Sequence, residues 1–406
     1  MSNLGGIGPK TLVLGRLDGR LIDFDGDADL MTIGPNRSGR DRSSLIPNLL
    51  TYAGPAVVID LNGEVYAATA EARRRMGHTV VRLDPFAVTG PESDGLNPMD
   101  LADGLEGPAL DSACQDIADL IPLRNSFGDF GEYEAFGLLS GVISYLAVVP
   151  DKRSFDQVYS TLHSDDVVYT LAVVLDTVGK KIPKMSYAEI SGYLQKEDKL
   201  RSSLLTKLTS HLKALSGREV QQSLSQSTVP LSEMRSGAPV TVYIIIPPER
   251  LAIHSVLLRI WIGTLLHNEL KAQEGSSPPT LFLLDHCAEI GRFPFLASML
   301  STGSGKAFRI WTFWHDVHQL RTTYPGDWPA IVSGCGAVQV LGTKDAAAAA
   351  EAEALLGLAA NDVWSLGAGE QIVAVDGVPV RARKLDPRDD IPASAAEGDP
   401  AAFTAR

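Results

Sequence analysis

The sequence predicts an α/β protein: a mostly parallel sheet with helices on both faces, interrupted by an inserted all-α domain. Three observations carry that reading. Ala56–Asp60 and Thr280–Asp285 are continuous apolar runs, each ending in a carboxylate, and such strands need cover on both faces. Gly34 and Gly39 stand between strand-like Met31–Ile33 and the apolar run Leu45, Ile46, Leu49, Leu50, a strand–loop–helix order. From about Leu110 to Gln226, apolar residues recur at helical spacing and strand signals are scarce.

Taken in order, Thr11–Arg16 and Arg20–Phe24 read as short strands about the turn Asp18-Gly19. The helix after the glycine loop runs towards Leu50, and Pro47 within it predicts a kink or an early end. The strand Ala56–Asp60, a helix from Glu64 to Met76 and the strand Thr79–Leu83 complete a βαβαβ pattern. The helical stretch carries Leu138, Val142, Tyr145 and Leu146, then Val167, Leu171 and Val174, then Leu204, Leu208, Leu212 and Leu215. Val240–Ile246 returns to buried-strand character, followed by a helix from Leu251 to Ala272 and an exposed loop over Glu274–Pro279. Strands at Thr280–Asp285, Arg309–Phe313 and Ala337–Leu341 precede an alanine-rich helix, Ala346–Leu356. Asp376-Gly377 sets a hairpin between Glu370–Val375 and Val378–Ala382. The predicted division is 1–108 and 231–385 for the two parts of the α/β domain, 109–230 for the all-α insertion, and 386–406 for a disordered tail.

The chain of 406 residues, 45% hydrophobic and 21% charged, is long enough for a large core and more than one domain. No apolar stretch is long enough to span a bilayer, and Met1–Gly6 lacks the pattern of a signal peptide. Cys114, Cys287 and Cys335 have no metal-ligand spacing. The expected location is therefore cytoplasmic. The net charge of −13 disfavours a basic coat but leaves room for a basic channel built from local patches.

Gly34-Pro35-Asn36-Arg37-Ser38-Gly39-Arg40-Asp41 has the spacing of a phosphate-binding loop, G-x-x-x-x-G-K-[ST]. Its glycines let backbone N–H groups close around phosphate oxygens at a helix start. Arg40 stands where lysine is needed, and Asp41 where a hydroxyl would hold Mg²⁺. A guanidinium can pair with phosphate bidentately, but its fork is wider than an ammonium. A carboxylate there repels polyphosphate unless a metal intervenes. The expectation is weakened nucleotide affinity and greatly impaired hydrolysis. Arg37, Arg40 and Arg42 read equally as an anion-binding patch or a solvated surface. Asp285 is the candidate Mg²⁺ ligand, through water, and His286 holds the place of a water-orienting glutamate; a structural histidine is the plainer alternative. Asp60 reads more readily as a helix cap than as a metal contact. Trp311, Phe313, Trp314, His315 and Gln319 read first as core packing with a hydrogen-bonded histidine, and second as a base-stacking surface. Arg292 and Arg309 are candidates to reach a neighbour's nucleotide in a ring, against ordinary surface pairing.

Several ordered segments resemble the type IV secretion coupling proteins, the conjugative DNA-transfer ATPases. Gly34-Pro35 through Ile46-Pro47-Asn48-Leu49-Leu50 is similar to the family's G-P-T-x-S-G-K-G…I-P-N-L-L. Val57–Glu64 resembles V-V-x-D-P-K-G-E, and Arg82–Phe86 with Asn97-Pro98 is similar too. Val240–Arg250 resembles the strand after the family's all-α domain. Leu283–His286 with Gly291–Phe295 resembles L-L-D-E-F…G-R-x-P-x, and Trp314–Leu320 resembles x-Q-D-x-x-Q-L. The resemblance runs from Leu14 to Leu385. It implies a RecA-like P-loop domain with an inserted all-α domain, ATP and Mg²⁺ as cofactors, and a hexameric ring. It also implies DNA, a relaxosome and secretion-channel proteins as partners, and a place at the inner membrane reached through them. The departures fall on the chemistry: Arg40 for lysine, Asp41 for glycine, Asn62 for lysine, His286 for glutamate and His315 for glutamine. The leading expectation is a homologue with a degenerate ATPase. The alternatives are an active, diverged DNA-dependent translocase and a non-enzymatic scaffold of a secretion or mobile-element complex.

Overall fold

The computed structural model describes residues 8–124, 130–272, 278–303 and 307–391. Its strands are β1 Leu12–Leu17, β2 Arg20–Phe24, β3 Asp29–Ile33, β4 Ala56–Ile59, β5 Thr79–Leu83, β6 Val240–Ile244, β7 Thr280–Leu284, β8 Phe308–Trp314, β9 Cys335–Leu341, β10 Glu370–Val375 and β11 Val378–Arg383. They form one sheet in the order β2-β1-β11-β10-β9-β3-β8-β7-β4-β6-β5. Every pairing from β9 to β5 is parallel. The pairings among β2, β1, β11, β10 and β9 are antiparallel. Parallel neighbours need crossovers, and the helices that make them cover both faces.

Alternation along the central strands feeds two separate cores. Val57, Leu284 and Ile310 face one side, while Val58, Leu283 and Trp311 face the other. On the first side, Val57 and Phe282 share a core with Cys114, Leu139 and Leu208 of the insertion. Among the described residues no strand lies between Leu83 and Val240, and helices such as Gly107–Asp119, Phe130–Ala147 and Asp198–Leu212 fill the interval. The helix Val256–Glu269 is buried on nearly every face, which accounts for apolar residues around its whole circumference.

Two expectations need correction and a third is narrowed. The single helix predicted from Leu251 to Ala272 is two, Pro248–His254 and Val256–Glu269; Pro248 serves as a helix start, where its missing N–H costs nothing. Pro47 does not end its helix. The helical backbone runs on from Arg40 into Ile46–Thr51, and the widened π-type turn over Asp41–Leu45, directly before Pro47, is the distortion that accommodates it. The predicted tail begins too early: Pro387–Asp390 is a short helix, and Asp390 and Ile391 are 2% and 6% exposed. Asp390 accepts from Arg16 at 2.6 Å and from Arg383 at 2.6 and 2.8 Å. Residues 392–406, and 273–277 of the predicted loop, lie outside the described residues.

Candidate functional site

The carboxyl ends of β3, β7 and β8 bring the site together. Gly34 follows β3, and its N–H donates to Trp314 O at 2.9 Å, tying the loop to the end of β8. A Cβ on Gly34 would lie 2.9 Å from Leu341 Cβ and 2.9 Å from Ser38 Oγ, so a side chain there would displace packed atoms. Gly39 takes φ +84°, a left-handed value that favours glycine, and Arg37 takes +64° against its own preference. Ser38 N donates to Pro35 O, and Ser43 N to Gly39 O at 2.8 Å, starting the helical turns. Asn48 fixes this segment from below. Its Oδ1 accepts from Val13 N at 2.8 Å, and its Nδ2 donates to Val13 O at 2.9 Å and Ser44 O at 2.7 Å. The amide thus pairs with β1 as another strand would.

Arg40 lies in the gap between loop and β7, 5% exposed. Its Nε is 2.8 Å from Asp285 Oδ1, a buried ion pair. That oxygen has no aligned hydrogen bond, so the attraction is mainly charge on charge. Arg40 Nη2 donates to His286 Nε2 at 2.8 Å. Its other contacts, Nη1 to Gly34 O at 3.3 Å and Nη2 to Asn36 Oδ1 at 3.4 Å, are long for hydrogen bonds.

Charge in this gap is finely opposed. Burial pushes the Asp285 carboxyl up to about 6, against the pull of Arg40. Burial, then the neighbouring Asp285 charge, raises Asp41 to about 7. Burial also raises Asp60 to about 7, against the hydrogen bond from Tyr66 N. His286 goes the other way: burial, then the Arg40 charge, lowers it to about 4. It is therefore a neutral imidazole whose Nε2 lone pair is engaged by Arg40, with its proton on Nδ1. A histidine so held is a poor base for activating water. Its backbone takes φ +52°, uncommon for a residue with a side chain.

The structure brings together Gly34 through Asp41 with Asp285 and His286, as expected from the sequence. It separates the two arginines. Arg309 is 1% exposed near the start of β8, the end away from the loop, where it donates to Gly26 O at 3.0 Å and Lys10 O at 2.5 Å and lies over the Tyr52 ring. A guanidinium spent on its own core cannot reach a neighbour's nucleotide, and that expectation for Arg309 is withdrawn. Arg292 is partly exposed on a cleft of about 500 Å³ lined also by Asp119, Arg124 and Tyr133. Asp60 takes the capping role through Tyr66 N. Trp311, Phe313 and Trp314 are wholly buried, as core packing requires. Asp316 caps the helix Val317–Thr323 through Gln319 N, while Gln319 Oε1 accepts from His315 N. That pair is a variant of the capping box, with the return bond one residue before the N-cap, and it explains the D-x-x-Q spacing without chemistry.

Lys384 was not anticipated. Its Nζ donates to Ser38 O and Ala368 O, each at 2.9 Å, placing an ammonium against the outside of the phosphate loop. Arg42 pairs with Asp386 at 2.9 and 3.1 Å, so the segment after β11 straps the loop at two points. Nothing in the local sequence around Lys384 signals this, because the contact spans more than 340 residues.

The fit to nucleotide and to metal differs. The loop keeps its glycine conformations and the N–H groups at the helix start, so phosphate oxygens fit. Mg²⁺ does not: Asp285 is committed to Arg40, and Asp41 stands at the position where the general phosphate-loop pattern has its hydroxyl.

Residues 7–351 match the family described as Type IV secretory system Conjugative DNA transfer. The chain belongs to that family. It is 25% identical over 342 residues to the conjugal transfer protein TraG of Escherichia coli, covering 77% of this chain and 52% of the relative. It is 21% identical over 307 residues to the type IV secretion system-coupling protein VirD4 of Bartonella quintana, covering 74% and 48%. The chain thus spans about half the length of these relatives. Among solved structures, the conjugative coupling protein TrwBdeltaN70 superposes with TM-score 0.73 at 13% identity, covering 93% of this chain and 88% of that one. TrwB in complex with ADP and Mg²⁺ gives 0.61 at 16% identity, covering 89% and 79%. The RecA-like fold with its all-α insertion is that of the coupling proteins.

Proposed function

We propose that this coupling-protein homologue binds a nucleotide through its phosphate loop but does not turn it over, and acts in DNA transfer as a non-hydrolysing member. The observation behind this is the single guanidinium of Arg40, which engages both Asp285 and His286. The two positions that would order metal and attacking water are thereby occupied by one internal network. Backbone N–H groups of Gly39 to Asp41 and the Arg40 fork would hold the phosphates, and a bound nucleoside triphosphate would supply a phosphoryl group that this network gives no means of transferring. TrwB has been solved with ADP and Mg²⁺, which supports a nucleotide as the ligand class.

The ring of the family extends the proposal: a homo-hexamer, or a mixed ring with an intact paralogue, taking DNA from a relaxosome to the secretion channel. Among the described residues no helix is long and apolar enough to cross a membrane, so attachment at the inner membrane would come through partners. Arg292, partly exposed on its cleft, remains the candidate to reach a neighbouring subunit in this proposal, and Arg309 does not.

The test is phosphate release by the purified full chain with ATP and Mg²⁺, with and without single-stranded DNA. No DNA-stimulated release is expected. Release that DNA stimulates and that stops on Arg40→Ala would establish the active, diverged translocase instead.

A further inference from the structure

Arg40 also bears on what form of nucleotide the site accepts. In an intact phosphate-loop site a divalent cation neutralises the β- and γ-phosphate oxygens, held by the loop hydroxyl and a strand-end aspartate. Here the aspartate is spent. Asp285 and Arg40 are each 5% exposed and lie 2.8 Å apart, and breaking such a pair leaves an uncompensated buried charge. A magnesium ion held through Asp285 would have to displace the guanidinium from that carboxylate.

The guanidinium is held unevenly. Its Nε edge is fixed by Asp285 and one Nη2 proton by His286 at 2.8 Å, but its remaining Nη contacts, to Gly34 O and Asn36 Oδ1, are 3.3 and 3.4 Å. Those long bonds are the ones that phosphate oxygens could replace, and a planar fork suits two oxygens at once. Lys384 adds a second cation, bound to the Ser38 carbonyl on the loop's outer side. Two positive charges, Arg40 and Lys384, are thus tied to carbonyls of the phosphate loop itself.

We infer that the site takes its nucleoside di- or triphosphate as the metal-free anion, with Arg40, backed by Lys384, doing the electrostatic work of Mg²⁺. This rests on the nucleotide-binding reading above.

The test is ADP binding to the full chain by calorimetry, once with Mg²⁺ and once with EDTA, beside Mn²⁺ binding by electron paramagnetic resonance in the presence of ADP. For the natural chain the two dissociation constants should agree within about threefold, with no protein-bound Mn²⁺ signal. The Arg40→Lys/Asp41→Ser variant, which restores an ammonium and a hydroxyl, should bind ADP about tenfold or more tighter with Mg²⁺ than with EDTA and should show bound Mn²⁺. Tightening of about tenfold by Mg²⁺ in the natural chain, or a bound Mn²⁺ signal there, overturns the inference and leaves nucleotide binding standing. No ADP binding under either condition overturns the nucleotide reading, and the inference with it.

Discussion

Arg40 replaces a compact, mobile ammonium with a planar group that must satisfy five donors. In this gap the nearest acceptors are Asp285 and His286, so the substitution at 40 and the one at 286 are parts of one contact. Two further residues allow sharper checks. Asn48 is fully buried and pairs both backbone groups of Val13; Asn48→Leu strands a donor and an acceptor and should cost roughly 2–4 kcal/mol in denaturant unfolding. Asp60, raised to about 7 by burial, binds its proton more tightly folded than unfolded. Its contribution is complete below the unfolded carboxylate range and is lost as pH rises through 7. Between pH 6 and 8 Asp60 should cost the natural chain roughly 1 kcal/mol, read as the difference in pH slope between the natural chain and Asp60→Asn, because Asp41 and Asp285, raised to about 7 and about 6, add to the slope in the same sense. His78, His267 and His286, lowered to about 4 by burial, act in the opposite sense up to the unfolded imidazole range near 6.5, inside that window, so the Asp60 share is read only as a difference between the two chains. The identity of the loop residues was readable from spacing alone. The mutual contact of Arg40 with Asp285 and His286 was not, because it joins positions about 245 apart in the chain.

At the scale of elements, period and punctuation were reliable guides. The runs ending in Asp60 and Asp285 became central parallel strands, and Asp376-Gly377 closed the hairpin of β10 and β11. Errors arose where a proline's position in its turn mattered more than its presence. Pro248 falls in a first helical turn, where the absent N–H leaves no bond unmade, while the helix around Pro47 absorbs it through the widened turn over Asp41–Leu45. The segment after β11 misled for a different reason: its composition resembles a tail, but its acids are held by Arg16, Arg42 and Arg383. Asp390→Ala should therefore destabilise the chain by roughly 2 kcal/mol in thermal or denaturant unfolding, the exposed side of Arg383 softening the loss. Lys384→Met should leave the fold intact and weaken ADP binding about three- to tenfold, since it removes one cation and one tie from the loop.

For the whole molecule, the sheet does two things at once. Its helix-covered faces bury separate cores, and its carboxyl edge gathers the loop, Asp285 and His286 at the ends of parallel strands, where open α/β sheets bind ligands. The fold class and the insertion could be read from the sequence because apolar patterning records which face is covered. Which arginine faces outward could not, since Arg292 and Arg309 look alike until the sheet places one at its far edge. In the proposed reading, the molecule keeps an architecture suited to a phosphate ligand while Arg40 engages the groups that would hydrolyse one. The most direct test is DNA-stimulated ATP hydrolysis by the natural chain beside its Arg40→Lys/His286→Glu double variant. The prediction is turnover in the variant alone; hydrolysis by the natural chain at least as fast as the variant's, abolished by Arg40→Ala, would contradict it.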